Sequence, residues 1–351
     1  MGRVNILFYY ILSTCVLLAH ANAQSVQQAA VVPATLFSSH EVIELDLYFD
    51  LDAVLNDRGQ EVDQYDALLI HKVEGEIEEN HNIQIRVRGN FRKKSENCKF
   101  PPLRLNFKKK QAKGTFFHGQ DKIKLVTQCQ LEKYVLKEYL IYRTYNLLED
   151  RSFRVRLARI NYFDTRKMKL AFTHYGFLIE EEDQLAKRLG AKITTKFYTP
   201  TMLDEQIVLR MSIFQYLIGN SDWYVTSKHN TVLMQTDTLK PPFPVPFDFD
   251  FSDLVDGFYT RPEGVPTSML KSRRVFKGNC LEDSIVLKEF EFFLDKKELI
   301  YSLVSDFELL KKRERKKVLK YFDRLYVKLE NDPEDILRIF AETCYKDPTF
   351  K

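Results

Sequence analysis

Asp222, Asn230, Asp248 and Asp250 are the residues whose types and spacing could do chemistry. They share one stretch, Tyr216 to Asp253, which reads YLIGNSDWYVTSKHNTVLM, crosses a proline-broken loop and ends on PVPFDFDFSD. Oxygen ligands of this kind suit a hard divalent cation, magnesium or manganese. With Asp248-Phe249-Asp250 extended, alternation sets both carboxylates on one face and Phe249 on the other. Asn230, Asp248 and Asp250 are therefore the predicted metal ligands, close together at the mouth of a cleft. Asp222 is followed by Trp223, the single tryptophan of the chain. Two other readings stand beside this one. Asp and Asn are ordinary turn and cap residues. Asp248-Phe249-Asp250 is also a D-x-D, with which many nucleotide-sugar transferases hold a metal and a diphosphate, although no Rossmann-type glycine-rich turn precedes it.

The elements that must position these groups are legible as hydrophobic periodicity. Val42 to Phe49 alternates, as does Ile83 to Arg88, which ends at the turn pair Gly89-Asn90. Leu103 to Phe107 and Ile123 to Val126 repeat the pattern, so the first part reads as an antiparallel sheet buried on one face. A helix follows from Leu131 to Leu148, with Val135, Tyr139 and Tyr142 at helical spacing and Glu138 on it. Strands are predicted again at Val155 to Tyr162 and Leu170 to Glu180, giving an α+β arrangement. After Gly190 the chain turns helical. Glu205 to Ile218 delivers the Asp222 loop, and Leu287 to Val304, Leu309 to Leu329 and Pro333 to Cys344 complete the fold. Asp332 caps the last helix, with Pro333 at its first position and acidic residues in its first turn.

The 351 residues, 44% of them hydrophobic, are enough for one large domain or two lobes. A net charge of +4 is too slight to imply a nucleic-acid partner, and the basic runs Arg92-Lys93-Lys94 and Lys108-Lys109-Lys110 read as solvated loops. At the N-terminus, Arg3, an apolar run and Ala21-Asn22-Ala23 fit a leader (residues 1–23) cleaved near Ala23, so export is expected, with no transmembrane segment in the mature chain. A tether (24–40), a sheet-rich part (41–185) and a helical part (186–351) would follow. Losing Cys15 with the leader leaves Cys98, Cys129, Cys280 and Cys344, an even number in an oxidising compartment. Three connectivities are possible. The expected one pairs Cys98 with Cys129 and Cys280 with Cys344, because each pair flanks the elements of one part.

In order and spacing, Arg88-Gly89-Asn90, then Pro102 to Phe107, Lys122 to Leu125, Phe177 to Glu180, Asn220-Ser221-Asp222 and Phe247 to Asp250 resemble the spore-coat-protein CotH family of atypical kinases. The likeness covers most of Ile83 to Ser252. It implies a two-lobed protein-kinase-like fold, with a sheet-rich N-lobe and a mainly helical C-lobe. It also implies metal-dependent phosphoryl transfer from ATP to a side chain of an exported or cell-envelope protein. Asp222 then matches the catalytic-loop base, Asn230 the asparagine after it and Asp248 the metal-binding Asp. Lys124 or Arg104 becomes the phosphate-facing cation, Glu138 its acidic partner, and Arg88 and Asn90 a nucleotide-contacting turn. The chain departs from the pattern at Trp223-Tyr224, where Arg-His is usual, and at Asn106, where Lys is common. A catalytically inactive binding or structural protein of the envelope is the alternative those departures favour.

Overall fold

The computed structural model describes residues 35–257 and 274–346. The strands are β1 (Ile43–Phe49), β2 (Tyr65–Val73), β3 (Glu76–Val87), β4 (Leu103–Asn106), β5 (Lys122–Val126), β6 (Val155–Asp164) and β7 (Lys169–Ile179). Their order, β1-β2-β3-β4-β5-β7-β6, closes into a barrel. All neighbours are antiparallel except β1 and β6, which run parallel from Ile43 opposite Ala158 to Phe49 opposite Asp164. The two-lobed protein-kinase-like fold expected from the sequence is therefore corrected to a closed seven-strand barrel with packed helices. The closing pair joins residues 115 apart in sequence, and no local pattern carries such a contact. Alternating residues of every strand fill the interior, among them Leu47, Ile85, Leu105, Ile123 and Ile160. Closure gives every barrel strand two neighbours, although β3 meets β4 only over Gln84–Val87 and β7 meets β5 only over Phe177–Ile179.

The helices are α1 (Leu51–Asn56), α2 (Glu132–Leu148), α3 (Glu182–Arg188), α4 (Glu205–Ile218), α5 (Asp283–Asp295), α6 (Lys297–Ser305), α7 (Lys312–Asn331) and α8 (Pro333–Thr343). The single helix expected from Leu287 to Val304 is two, meeting at Lys296. Asp332 caps α8 as its sequence predicts, its side chain accepting from the Asp335 N–H. Helix α2 lies against β6 and β7, and its Tyr139, Tyr142 and Tyr145 share one core with α4 and the C-terminal helices as far as Phe340. A second sheet, β8 (Lys192–Ile193), β9 (Thr231–Gln235) and β10 (Phe243–Pro246), has the order β10-β9-β8.

Both expected disulfides are present, Cys98 to Cys129 and Cys280 to Cys344, each with Cα atoms 5.0 Å apart. The predicted leader and its cleavage position lie outside the described residues. Among the described residues no helix is long and apolar enough to cross a membrane.

Candidate functional site

The Asp222 loop is built from the end of α4. Asp204 caps the start of that helix, accepting from the Ile207 N–H at 3.1 Å, and Gly219 ends it in the left-handed region at φ 66°. Buried Asn220 donates to Gln215 Oε1 at 3.0 Å, and its own Oδ1 accepts from the Asp222 N–H at 3.0 Å. Tyr224 and His229 then bond each other through both backbone N–H groups at 3.0 Å, which folds the chain back on Asp222. His229 Nε2 lies 2.9 Å from Asp222 Oδ1, while the Asn230 amide donates to Asp222 Oδ2 at 3.1 Å and to its carbonyl at 2.8 Å. Trp223 is buried with Leu203, Met211 and Leu233, so the single tryptophan anchors the loop.

Asp248 and Asp250 follow β10 but do not continue it. Asp248 adopts φ 60°, tolerated by a short polar side chain, and its N–H donates to Tyr142 Oη at 2.9 Å. The expected strand is thus corrected to a turn, yet the carboxylates still share a side. Phe249 is driven the other way, into rings of Tyr142 at 4.7 Å and Phe214 at 5.6 Å.

What meets the two carboxylates is Arg92. Its Nη2 is 2.9 Å from Asp248 Oδ1, its Nε 3.1 Å from Asp250 Oδ2, and its Nη1 3.1 Å from Glu138 Oε2. The reading of Arg92 as a solvated loop residue is corrected: it is buried, as is Glu138. Burial pushes the Asp250 carboxyl well above the usual carboxylate range, against the pull of Arg92. Confinement opposes ionisation of Asp248 too, but Arg92 and Arg88 outweigh it and hold Asp248 below its usual value. Burial thus resists ionisation of Asp250, while the two guanidiniums favour it at Asp248.

This arrangement does not fit magnesium or manganese. A guanidinium already pairs with both carboxylates, and the Asn230 side chain is turned to Asp222. Among the described residues no group of three or more His, Cys, Asp or Glu is set to hold a metal.

The predicted cations separate into paired and unpaired. Lys124 is buried on β5, with Nζ 2.8 Å from Glu182 Oε1 and within 5.8 and 5.4 Å of the Phe153 and Phe247 ring centres. Its acidic partner is thus Glu182 and not Glu138, which belongs to Arg92. Arg104 reaches Glu181 at 3.8 Å. Arg88 lines the same cleft, where burial lowers its pKa and Asp248 partly offsets that, but its guanidinium has no ion pair or acceptor among the described residues. Asn90 is exposed on the loop after β3 and does not join the cleft-lining groups. The cavity lined by Arg88, Arg92, Lys124, Glu138, Tyr142 and Asp248 measures about 10 Å³.

Sequence reasoning missed Arg92, Tyr142 and His229 as site residues. Nothing local separates Arg92 from Lys93 and Lys94. Its partners lie 46 and 156 residues further on, and only the fold brings them in. Tyr142 was read as core, and its hydroxyl is the part the periodicity cannot show. No protein-family model matches the chain, and no curated protein matches it either. The resemblance to the CotH family rests on its motifs alone.

Proposed function

We propose that the protein is an exported binding protein whose cleft takes the phosphate of a nucleotide or similar ligand on Arg88, without a divalent cation. The observation that carries this reading is the Arg88 guanidinium, unpartnered in a cleft where the neighbouring Arg92, Arg104 and Lys124 are each committed to carboxylates. A confined charge without a partner is unfavourable, and a guanidinium matches a phosphate with two parallel hydrogen bonds. Arginine stays charged even where burial opposes it. The present cavity holds about one water, so entry requires Lys124 to swing from Glu182. The leader pattern and the two disulfides support export.

Calorimetric titration with ATP, ADP and inorganic phosphate, in EDTA and then in magnesium, tests this. Phosphate-dependent binding is expected in EDTA, weakened at least about tenfold by Arg88→Met. Binding that appears only with metal, or that ignores Arg88→Met, overturns it.

Phosphoryl transfer from ATP to a hydroxyl of an exported protein is the second reading. It is favoured by Asp222, which is partly exposed and held by both Asn230 and His229 as a proton acceptor must be. Asp222→Asn is then expected to keep ligand affinity and abolish transfer of labelled phosphate. If the unmutated protein transfers none, this reading falls and the first stands.

A further inference from the structure

The two disulfides stand in unlike surroundings. Cys98 and Cys129 are 0% and 8% exposed. Cys280 is exposed and Cys344 half-buried, and both line a cavity of about 200 Å³ between the start of α5 and the end of α8. Thiol–disulfide exchange begins when a thiolate reaches one sulfur of the bond, so access decides which bridge opens. A reductant meets Cys280 first.

What the accessible bridge holds is a support of the Asp222 loop. It pins the segment from Phe276 to Cys280 to the end of α8 across a sequence separation of 64. Along that segment Phe276 stacks on Phe340 of α8 with ring centres 3.9 Å apart, and the Gly278 carbonyl accepts from the Tyr345 N–H at 2.7 Å. Lys277, between these two anchors, reaches the loop. Its Nζ donates to the carbonyls of Ser221 at 2.6 Å and Trp223 at 3.2 Å, one on each side of Asp222, and lies 3.7 Å from the Tyr224 ring centre. These are contacts of a long, rotamer-rich side chain, and they last only while its backbone is held in place. Opening the bridge returns the freedom of a long closed loop and leaves the ring stack and the backbone bond to hold the segment on α8.

We propose that the Cys280–Cys344 bridge is a reversible thiol-exchange site whose opening loosens the Asp222 loop through Lys277. The co-reactant is a dithiol reductant, and no ligand at Arg88 is required. One thiolate of the reductant attacks Cys280 Sγ, the S–S bond breaks, and Cys344 leaves as a thiolate that takes up a proton. The second thiolate then attacks the reductant's own sulfur in the mixed disulfide, which frees Cys280 as a thiolate and leaves the reductant as its internal disulfide. Two electrons have passed to the protein, and the Cys98–Cys129 bridge is untouched.

The test titrates the oxidised full chain with dithiothreitol, mapping free thiols by alkylation and mass spectrometry while following Trp223 fluorescence. Trp223 is the single tryptophan, 1% exposed, and its indole N–H has no hydrogen-bond partner among the described residues, so its emission reports this loop alone. Cys280 and Cys344 are expected to be alkylated before Cys98 and Cys129, with Trp223 emission moving to longer wavelength and becoming more open to acrylamide. Both effects are expected to reverse on reoxidation, at unchanged far-ultraviolet circular dichroism. Cys280→Ser/Cys344→Ser is expected to show the reduced-state emission without reductant. Lys277→Met, which keeps the bridge, is expected to show it too and to respond no further to dithiothreitol, and this variant decides the matter even where the serine variant does not fold. The proposal is overturned if the two bridges open together or in the reverse order, if opening the exposed bridge leaves Trp223 unchanged, or if it unfolds the chain. Lys277→Met that emits and responds as the unmutated protein does overturns it equally.

Discussion

Replacing Arg92 by Met removes the cation that three carboxyl groups share while keeping much of the apolar stem. Glu138 and Asp250 have side chains only 2% and 5% exposed, and taking one partner from a buried pair costs about 3 to 5 kcal/mol. Asp248, 40% exposed, adds at most about 1 kcal/mol. The costs do not sum, because the freed carboxyls take up protons, so about 3 to 5 kcal/mol is expected in urea unfolding near neutral pH. Glu138 and Asp250 already sit above their usual values because they are buried, with Arg92 opposing that rise. A carboxyl raised in the folded state binds more protons folded than unfolded between its two pKa values, so stability falls as pH rises through that window. Without Arg92 the window widens upward, and the destabilisation is expected to be larger near pH 8 than near pH 5. Adding Glu138→Gln to the variant should restore part of the loss. A change below about 1 kcal/mol, or one that does not vary with pH, would refute the view that Arg92 neutralises this cluster.

Lys137 on α2 pairs with Glu314 on α7 at 3.2 Å. Although burial opposes it, Lys317 and Lys137 pull Glu314 from 4.5 down to about 2, so its contribution is present above about 4.5 and lost as pH falls toward 2. Glu314→Gln is expected to flatten stability against pH in that acid window, and an unchanged acid limb would count against the pairing. Gly219→Ala would put a Cβ 2.1 Å from Tyr321 Oη and 2.9 Å from Asp253 Cβ at a φ of 66°. A loss of about 1 to 3 kcal/mol is expected in thermal unfolding, partly recovered by Tyr321→Phe; no recovery would assign the cost to backbone strain alone.

Most individual elements could be read from the sequence because their signals are local. The α4 pattern from Glu205 to Ile218 matches its observed bounds, and Asp332-Pro333 marks the start of α8. Strand β2 (Tyr65–Val73) was missed, since its Leu68-Leu69-Ile70 run blurs the alternation. Barrel closure and the Arg92 cluster were invisible for one shared reason: each depends on contacts far apart in the chain, 115 residues at the closing strands and 46 and 156 from Arg92, which periodicity does not encode. At the site, Asn230 turns to Asp222 while Asp248 and Asp250 share Arg92, so the expected ligand set divides into two groups. The Phe247 N–H, donating to the Asn230 carbonyl at 3.0 Å, is the backbone link between them.

The most direct measurement is a crystal structure of the protein grown with ADP, once in EDTA and once in magnesium. In both, phosphate oxygens are expected within hydrogen-bond reach of the Arg88 guanidinium, with Lys124 moved from Glu182 and Arg92 still on Glu138 and Asp250. A magnesium ion ligated by Asp248 and Asp250, with Arg92 displaced, would contradict the metal-free reading; a phosphate lying away from Arg88 would contradict the site itself.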